Sequence, residues 1–310
     1  MSRFLVTGGA GFIGSHITQK LIESGHFVRV LDNFCSGKPQ NLEPVIKRIE
    51  LINGDIRSAE TCLKACAGMD YVLHQAALRS VPKSMKDPAE YNAVNIGGLL
   101  NMLEAAKVNR IKRFVFASSS SVYGDISKFP EREEFLPQPI SPYALTKLAG
   151  EHYCKIFSCH WGLETVALRY FNVFGPRQSL DDEYAVVVPK FIHCILHDQN
   201  PPIYGNGRQS RDFTFVDNVA EANILATQKS CSGMCFNIAS GRDYSVLDLV
   251  KILNRILNKD VKPVFLEKRS GDVFKTLANI SQAKKFLGFK PRLDFVEGLK
   301  HTVEYFKSYA

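Results

Sequence analysis

The sequence predicts an α/β fold: a doubly wound parallel sheet of the Rossmann kind, followed by a smaller C-terminal domain suited to holding a ligand. Three observations predict it. Short apolar runs alternate with longer helical stretches through the first half, glycines crowd the point where the first run gives way to the first helix, and the rhythm breaks at a set of prolines past about Arg169.

Phe4-Leu5-Val6 reads as the first strand, Phe12 to Ser24 as the helix after it and Phe27 to Leu31 as the second strand. Tyr71-Val72-Leu73 and Phe114-Val115-Phe116 follow, separated by a helical stretch from Asn92 to Lys107. Continuous apolar runs of this length suit strands covered on both faces. Asp70 to His74 and Arg113 to Ala117 end in small or polar residues, and ligands of such sheets gather at the carboxyl ends of the strands. Pro176, Pro189, Pro201-Pro202 and Gly205-Asn206-Gly207 then interrupt the pattern, and helical spacing returns from Ser245 (Val246, Leu249, Val250, Leu253, Ile256, Leu257). The division expected is 1–172 for the first domain and 173–310 mainly for the second, with the return of a segment to the first left open.

A chain of 310 residues that is 45% hydrophobic can bury a large core. The net charge of +8 suits an anionic partner, but Lys and Arg are scattered, with no basic helix, aromatic ladder or finger spacing. A phosphate-bearing small molecule accounts for it, and no nucleic-acid partner is expected. Eight cysteines form no CxxC pair and no His cluster accompanies them, so they read as reduced thiols with no metal site. Met1-Ser2-Arg3 runs straight into an apolar strand and no stretch is long and apolar enough to span a bilayer, which points to the cytoplasm and away from membranes.

Thr7-Gly8-Gly9-Ala10-Gly11-Phe12-Ile13-Gly14 spaces its glycines as GxxGxxG between a strand and a helix. Gly8 and Gly11 allow a tight turn and close backbone approach to a pyrophosphate, whose charge sits on the helix N-terminus; Gly14 lets helix pack on strand. Asp32 ends the second strand, where its carboxylate can accept from ribose hydroxyls and repel the 2'-phosphate of NADP. NAD is therefore the expected cofactor. Arg29 offers a lesser phosphate-binding alternative. Asp55-Ile56 is either an adenine contact or a strand-ending turn.

Tyr143 and Lys147 lie four apart in Ser141-Pro142-Tyr143-Ala144-Leu145-Thr146-Lys147, on one face of a helix that Pro142 is suited to start. An ammonium beside a phenol favours the phenolate, lowering the tyrosine pKa towards neutrality so that it can take a hydroxyl proton. Ser118-Ser119-Ser120-Ser121-Val122-Tyr123-Gly124 follows a buried strand, where a serine hydroxyl can bridge the reacting oxygen and the tyrosine.

TGGAGFIG, HQAA, SSSSVYG, SPYALTK and RYFNVFGPRQ, in order along nearly the whole chain, resemble the extended short-chain dehydrogenase/reductase family and, within it, the UDP-hexose 4-epimerases. The resemblance implies Tyr143 as catalytic base, Lys147 on the nicotinamide ribose and Ser119 on the sugar 4-hydroxyl, with Ser120 as the alternative if the register slips by one. It extends the cofactor contacts to Phe12, Ile13, Asn33, Gln75, Ala76, Ala77, Arg79, Asn95 and Tyr170. For the substrate it implies Ser80, Ser84, Asn172, Val188, Tyr204, Arg211, Arg269 and Asp272, the two arginines suiting a diphosphate; Arg211 and Arg269 also read as local ion pairs. A homodimer formed by the helices around 92–107 and 144–158 as a four-helix bundle is implied as well.

Dehydratases and decarboxylating members of the family carry an acidic residue in the loop that here holds only serines. The implied cycle oxidises C4, turns the 4-keto sugar about its diphosphate link and returns the hydride to the opposite face. Seven residues past Arg269 the family places a gatekeeper, here the small Thr276, which leaves room for a 2-acetamido group. The expectation is UDP-GlcNAc/UDP-GalNAc interconversion, with UDP-Glc/UDP-Gal also accepted. Three alternatives stand beside it: an enzyme restricted to plain hexoses, a UDP-glucuronate 4-epimerase with Arg79 on the carboxylate, and a non-enzymatic NAD-binding sensor or scaffold.

Overall fold

A computed structural model describes residues 1–180, 187–268 and 273–308. Its centre is a parallel sheet of β1 (Arg3–Thr7), β2 (Phe27–Asp32), β3 (Glu50–Asn53), β4 (Tyr71–His74), β5 (Arg113–Ser119) and β6 (Thr165–Tyr170), with a seventh strand, Met234–Ile238, pairing with β6. The order across the sheet is β3-β2-β1-β4-β5-β6 and then the seventh strand. The direction of winding therefore reverses between β1 and β4.

Alternate side chains of each strand enter opposite cores, as the pleat requires. Phe4 and Val6 of β1 and Val115 and Ala117 of β5 join one core with helices α1 (Phe12–Glu23) and, later in the chain, Val216–Gln228. Leu5, Phe114 and Phe116 join the other, with α2 (Ala59–Cys66), α5 (Gly98–Val108) and α6 (Pro142–Trp161). Between α2 and α5 lie the short α3 (Val81–Lys86) and α4 (Pro88–Asn92). The single helix expected over 92–107 is instead α4, a π-turn at Ala93–Gly97 and α5. Asn95 sits in that turn with its amide bonded to Leu78 and Thr146, a local widening that aims one side chain at two partners.

A third core unites the helices Val187–Leu196, Val246–Leu257 and Phe295–Lys307 with Phe174, Phe213 and Phe215, forming a smaller lobe over the carboxyl ends of the strands. Phe174 and Phe213 both pack on Phe295, at ring separations of 5.3 and 4.9 Å. A capping box of Ser245 and Asp248 starts the helix 246–257.

Helix α6 is started by Ser141, whose hydroxyl accepts from the Ala144 amide at 3.2 Å, and by Pro142; Gly162 at φ 69° ends it. Glu151, midway along it, accepts from Arg169 through Nε at 2.9 Å and Nη2 at 2.7 Å, and from the Ser118 hydroxyl. Both members of the ion pair are nearly sealed from solvent, at 5% and 9% exposure. Removing one partner of such a pair strands a buried charge, so Glu151→Ala should lower stability by roughly 3–5 kcal/mol. Denaturant titration checks this, and an unchanged midpoint would contradict it.

Candidate active site

A cavity of about 1140 Å³ opens at the carboxyl ends of the strands, where the winding reverses, and runs beneath the smaller lobe. Gly8, Gly11, Phe12, Ile13 and Gly14 form one end of it, with Asp32, Asn33, Asp55, Ile56, Gln75, Ala76, Ala77 and Arg79 beyond.

The glycine turn is fitted to a dinucleotide. A Cβ on Gly14 would stand 2.1 Å from the Gly8 carbonyl oxygen, and one on Gly8, at φ 67°, would stand 2.8 Å from the Ala76 nitrogen. Backbone thus approaches backbone with no side chain between, and a ligand pyrophosphate meets bare main chain at the start of α1. Asp32 accepts from the amides of Ala10 and Phe34, each at 2.8 Å, one on each carboxylate oxygen. Burial raises its pKa and these two bonds draw it back. Each oxygen keeps a lone pair for a ribose hydroxyl, so these residues suit NAD.

Asp55, on the cavity wall, has its carboxylate on Arg57 and the Asn33 amide, and the arginine holds it at about 2. Arg29 lies away from the cavity, occupied by Glu50 at 2.9 Å and by the carbonyls of Ala65 and Ala67 at 2.8 Å. Tyr170 lines the cavity and joins Gln75 and Asn223 in a hydrogen-bonded cluster. Asn95 corrects the expectation of a cofactor contact: it lies behind the wall, its amide consumed by Leu78 and Thr146.

Ser119, Tyr143 and Lys147 meet at the middle of the cavity. Strand alternation decides which serine faces them, since Ser118 points back to Glu151 while Ser119 turns inward and hydrogen bonds the Tyr143 phenol. Ser119 also accepts from the amide and hydroxyl of Ser121, at 3.2 and 2.9 Å. Ser120 lines the cavity beside it. Lys147 is 5% exposed and donates to the Ala117 carbonyl at 2.8 Å, with its ammonium 5.9 Å from the Tyr143 ring centre. Burial lowers its pKa to about 8. In the protein alone, burial pushes the Tyr143 phenol above its ordinary value, and the Ser119 hydrogen bond and the charge of Arg79 pull it back down.

At the far end Asn172, Tyr204, Arg211 and Thr276 line the cavity together with Ser80. Thr276 Oγ1 accepts from the Asn172 amide at 2.8 Å and from the Asp212 backbone at 3.2 Å, which ties it to the wall. Arg211 donates to the carbonyls of Ser210 and Phe274. Two expected substrate contacts are corrected. Ser84 is fully buried and donates to the Val81 carbonyl at 2.6 Å, and Val188 turns into the third core, leaving Val187 at the cavity. Arg269 and Asp272 lie outside the described residues. Glu131 and Lys190 line the cavity without having been singled out from the sequence. The first sits in the charged stretch Pro130-Glu131-Arg132-Glu133-Glu134, which reads as an exposed loop, and the second is one lysine on an apolar helix.

A family model described as the NAD dependent epimerase/dehydratase family matches residues 4–239. A putative UDP-glucose 4-epimerase of Methanocaldococcus jannaschii is 38% identical over 306 residues, 98% of each chain. Among solved structures, the UDP-N-acetylglucosamine 4-epimerase from Methanobrevibacter ruminantium M1, in complex with UDP-N-acetylmuramic acid, superimposes with a TM-score of 0.96 at 43% identity, covering 100% of this chain and 99% of that one. The UDP-glucose 4-epimerase of Thermotoga maritima with UDP-glucose gives 0.94 at 40% identity, covering 99% of each. A match over most of the sequence, with relatives alike over nearly their full length, leads to one conclusion: this chain belongs to the NAD dependent epimerase/dehydratase family, with NAD as its cofactor.

Proposed function

We propose that this chain, an NAD-dependent UDP-sugar 4-epimerase, interconverts UDP-GlcNAc and UDP-GalNAc and also accepts UDP-Glc and UDP-Gal. The observation that carries the acetamido reading is Thr276, a small side chain held against the wall by Asn172 and Asp212 where the cavity must admit the substituent at C2. The 43% identity to a UDP-N-acetylglucosamine 4-epimerase supports it.

Bound NAD would accept the C4 hydride and supply it again to the opposite face of the ketone. Tyr143, as the phenolate towards which the Ser119 hydrogen bond and the charge of Arg79 pull it against burial, takes the proton of the 4-hydroxyl, and Ser119 holds that oxygen in line. Lys147, fixed on the Ala117 carbonyl and charged below about pH 8, would hold the cofactor ribose. Once the ketone has turned its other face, Tyr143 returns the proton. Arg211 holds the diphosphate about which the sugar turns. Among the described residues no helix is long and apolar enough to cross a membrane.

One observation favours a second reading, a 4-epimerase of UDP-glucuronate: the charge of Arg79, at the cavity lip, reaches the Tyr143 phenol and would meet a C6 carboxylate nearby. Incubating the purified protein separately with UDP-GlcNAc, UDP-Glc and UDP-GlcA, without added NAD, and resolving products by NMR separates the readings. Formation of the 4-epimer of UDP-GlcNAc is expected. No conversion of any of the three, even after NAD is supplied, would refute epimerisation of these sugars.

A homodimer fits the paired helices α5 and α6, since α6 leaves two large apolar side chains exposed on its outer side, Leu145 at 55% and Ile156 at 43%. Sedimentation should give twice the 34.7 kDa chain mass, and a monomer at micromolar concentration would rule this interface out. Tyr143→Phe should cost roughly 10²–10⁴ in kcat while NAD stays bound, so full activity would sink the mechanism. Thr276→Tyr should suppress turnover of acetylated sugars selectively, and equal loss on both classes would refute the gatekeeper argument.

A further inference from the structure

One acidic group in the cavity wall has no part in the mechanism above. Glu131 is 2% exposed, yet it lines the cavity. Its backbone is pinned on both sides to the segment that carries Thr276: its amide donates to the Leu277 carbonyl at 2.6 Å, and its carbonyl accepts from the Asn279 amide at 2.7 Å. This is a parallel bridge between Glu131 and Ala278. Paired residues of a bridge point to the same face, and so do residues two apart, which brings Glu131 onto the face of Ala278 and Thr276. Oε1 accepts from the Leu277 amide at 3.4 Å. Oε2 has no hydrogen-bond partner among the described residues, and the residue is part of the cavity wall.

A buried carboxyl with no ion pair, beside the residue that sets the room at C2, suits a neutral acceptor on the substrate. We propose that Glu131 reads the 2-acetamido group, its Oε2–H donating to the acetamido carbonyl oxygen. This rests on the acetamido-sugar reading given above. A 2-hydroxyl ends at its oxygen, whereas the acetamido carbonyl oxygen lies two bonds further out. Only the acetylated sugar therefore reaches a carboxyl recessed in the wall.

The charges around the group are consistent with the protonated form. Burial is the largest influence and lifts its pKa to about 8, with Asp212 adding to the rise and Arg211 and Arg169 opposing it. Below that value the carboxyl donates, and above it the donor is lost. Preference for acetylated sugar should be held at neutral pH and fall as pH rises.

The test is the ratio of kcat/KM on UDP-GlcNAc to that on UDP-Glc, in which Tyr143 and Lys147, common to both reactions, cancel. In the wild-type enzyme the ratio should drop between about pH 7 and about pH 9. Glu131→Ala should lower it roughly ten- to thirtyfold at pH 7, leaving UDP-Glc turnover within about twofold. Glu131→Gln keeps a neutral donor and should keep the ratio while abolishing its pH dependence. If Glu131→Ala fails to retain NAD, the wild-type and Glu131→Gln profiles decide. A ratio flat with pH in the wild type, or equal losses on both sugars, overturns the assignment. A wild type that turns over UDP-Glc and not UDP-GlcNAc instead refutes the acetamido reading itself, which is a separate outcome.

Discussion

The site depends on the register of α6 against β5 and β6, and that register is set by one buried ion pair. Tyr143, Lys147 and Glu151 follow one another at intervals of four and so share a helix face. Opposite them β5 offers its residues in turn: the Ala117 carbonyl to Lys147, Ser118 to Glu151 and Ser119 to Tyr143. Arg169, from the next strand, closes the arrangement on Glu151. Such a pair adds little net stability over an apolar substitute, but it strongly penalises any docking in which its partners miss one another. A slip of one residue in β5 would bring Ser118 to the phenol and strand Glu151. The polar cluster behind the helix thereby selects the serine in front of it.

Much of this was legible in the chain because the relevant rules are local. The alternation of apolar runs with helical stretches follows from covering both faces of a parallel sheet, and the two cores on its faces show that pattern strand by strand. The glycine spacing was readable because backbone contact tolerates no Cβ, as the 2.1 Å approach at Gly14 makes plain. Asp32 and the Tyr143–Lys147 spacing were readable for similar reasons, each belonging to one strand end or one helix face.

What escaped depends on neighbours remote in sequence. Asn95 and Ser84 have the side chains of contact residues, but their hydrogen bonds are spent on Leu78, Thr146 and Val81. Val188 and Val187 are interchangeable on paper, and only the packing of their helix in the third core separates them. Spacing brings Lys147 to the helix face of Tyr143 without stating its distance or the burial that opposes the phenolate in the protein alone. Glu131 reads as a solvated loop residue until the chain near 278, far along the sequence, is laid beside it.

The strand Met234–Ile238 has a further consequence. It is the outermost strand of the main sheet, yet in sequence it lies between stretches that build the smaller lobe, so the chain passes out to that lobe, back to the sheet and out again. Two halves joined by one tether could swing apart like a clamshell; here several crossings stitch the roof of the cleft to its floor. The walls that carry Asn172, Arg211 and Thr276 are thereby anchored to the strands beneath the cofactor. Opening that cleft would mean bending every one of these crossings at once.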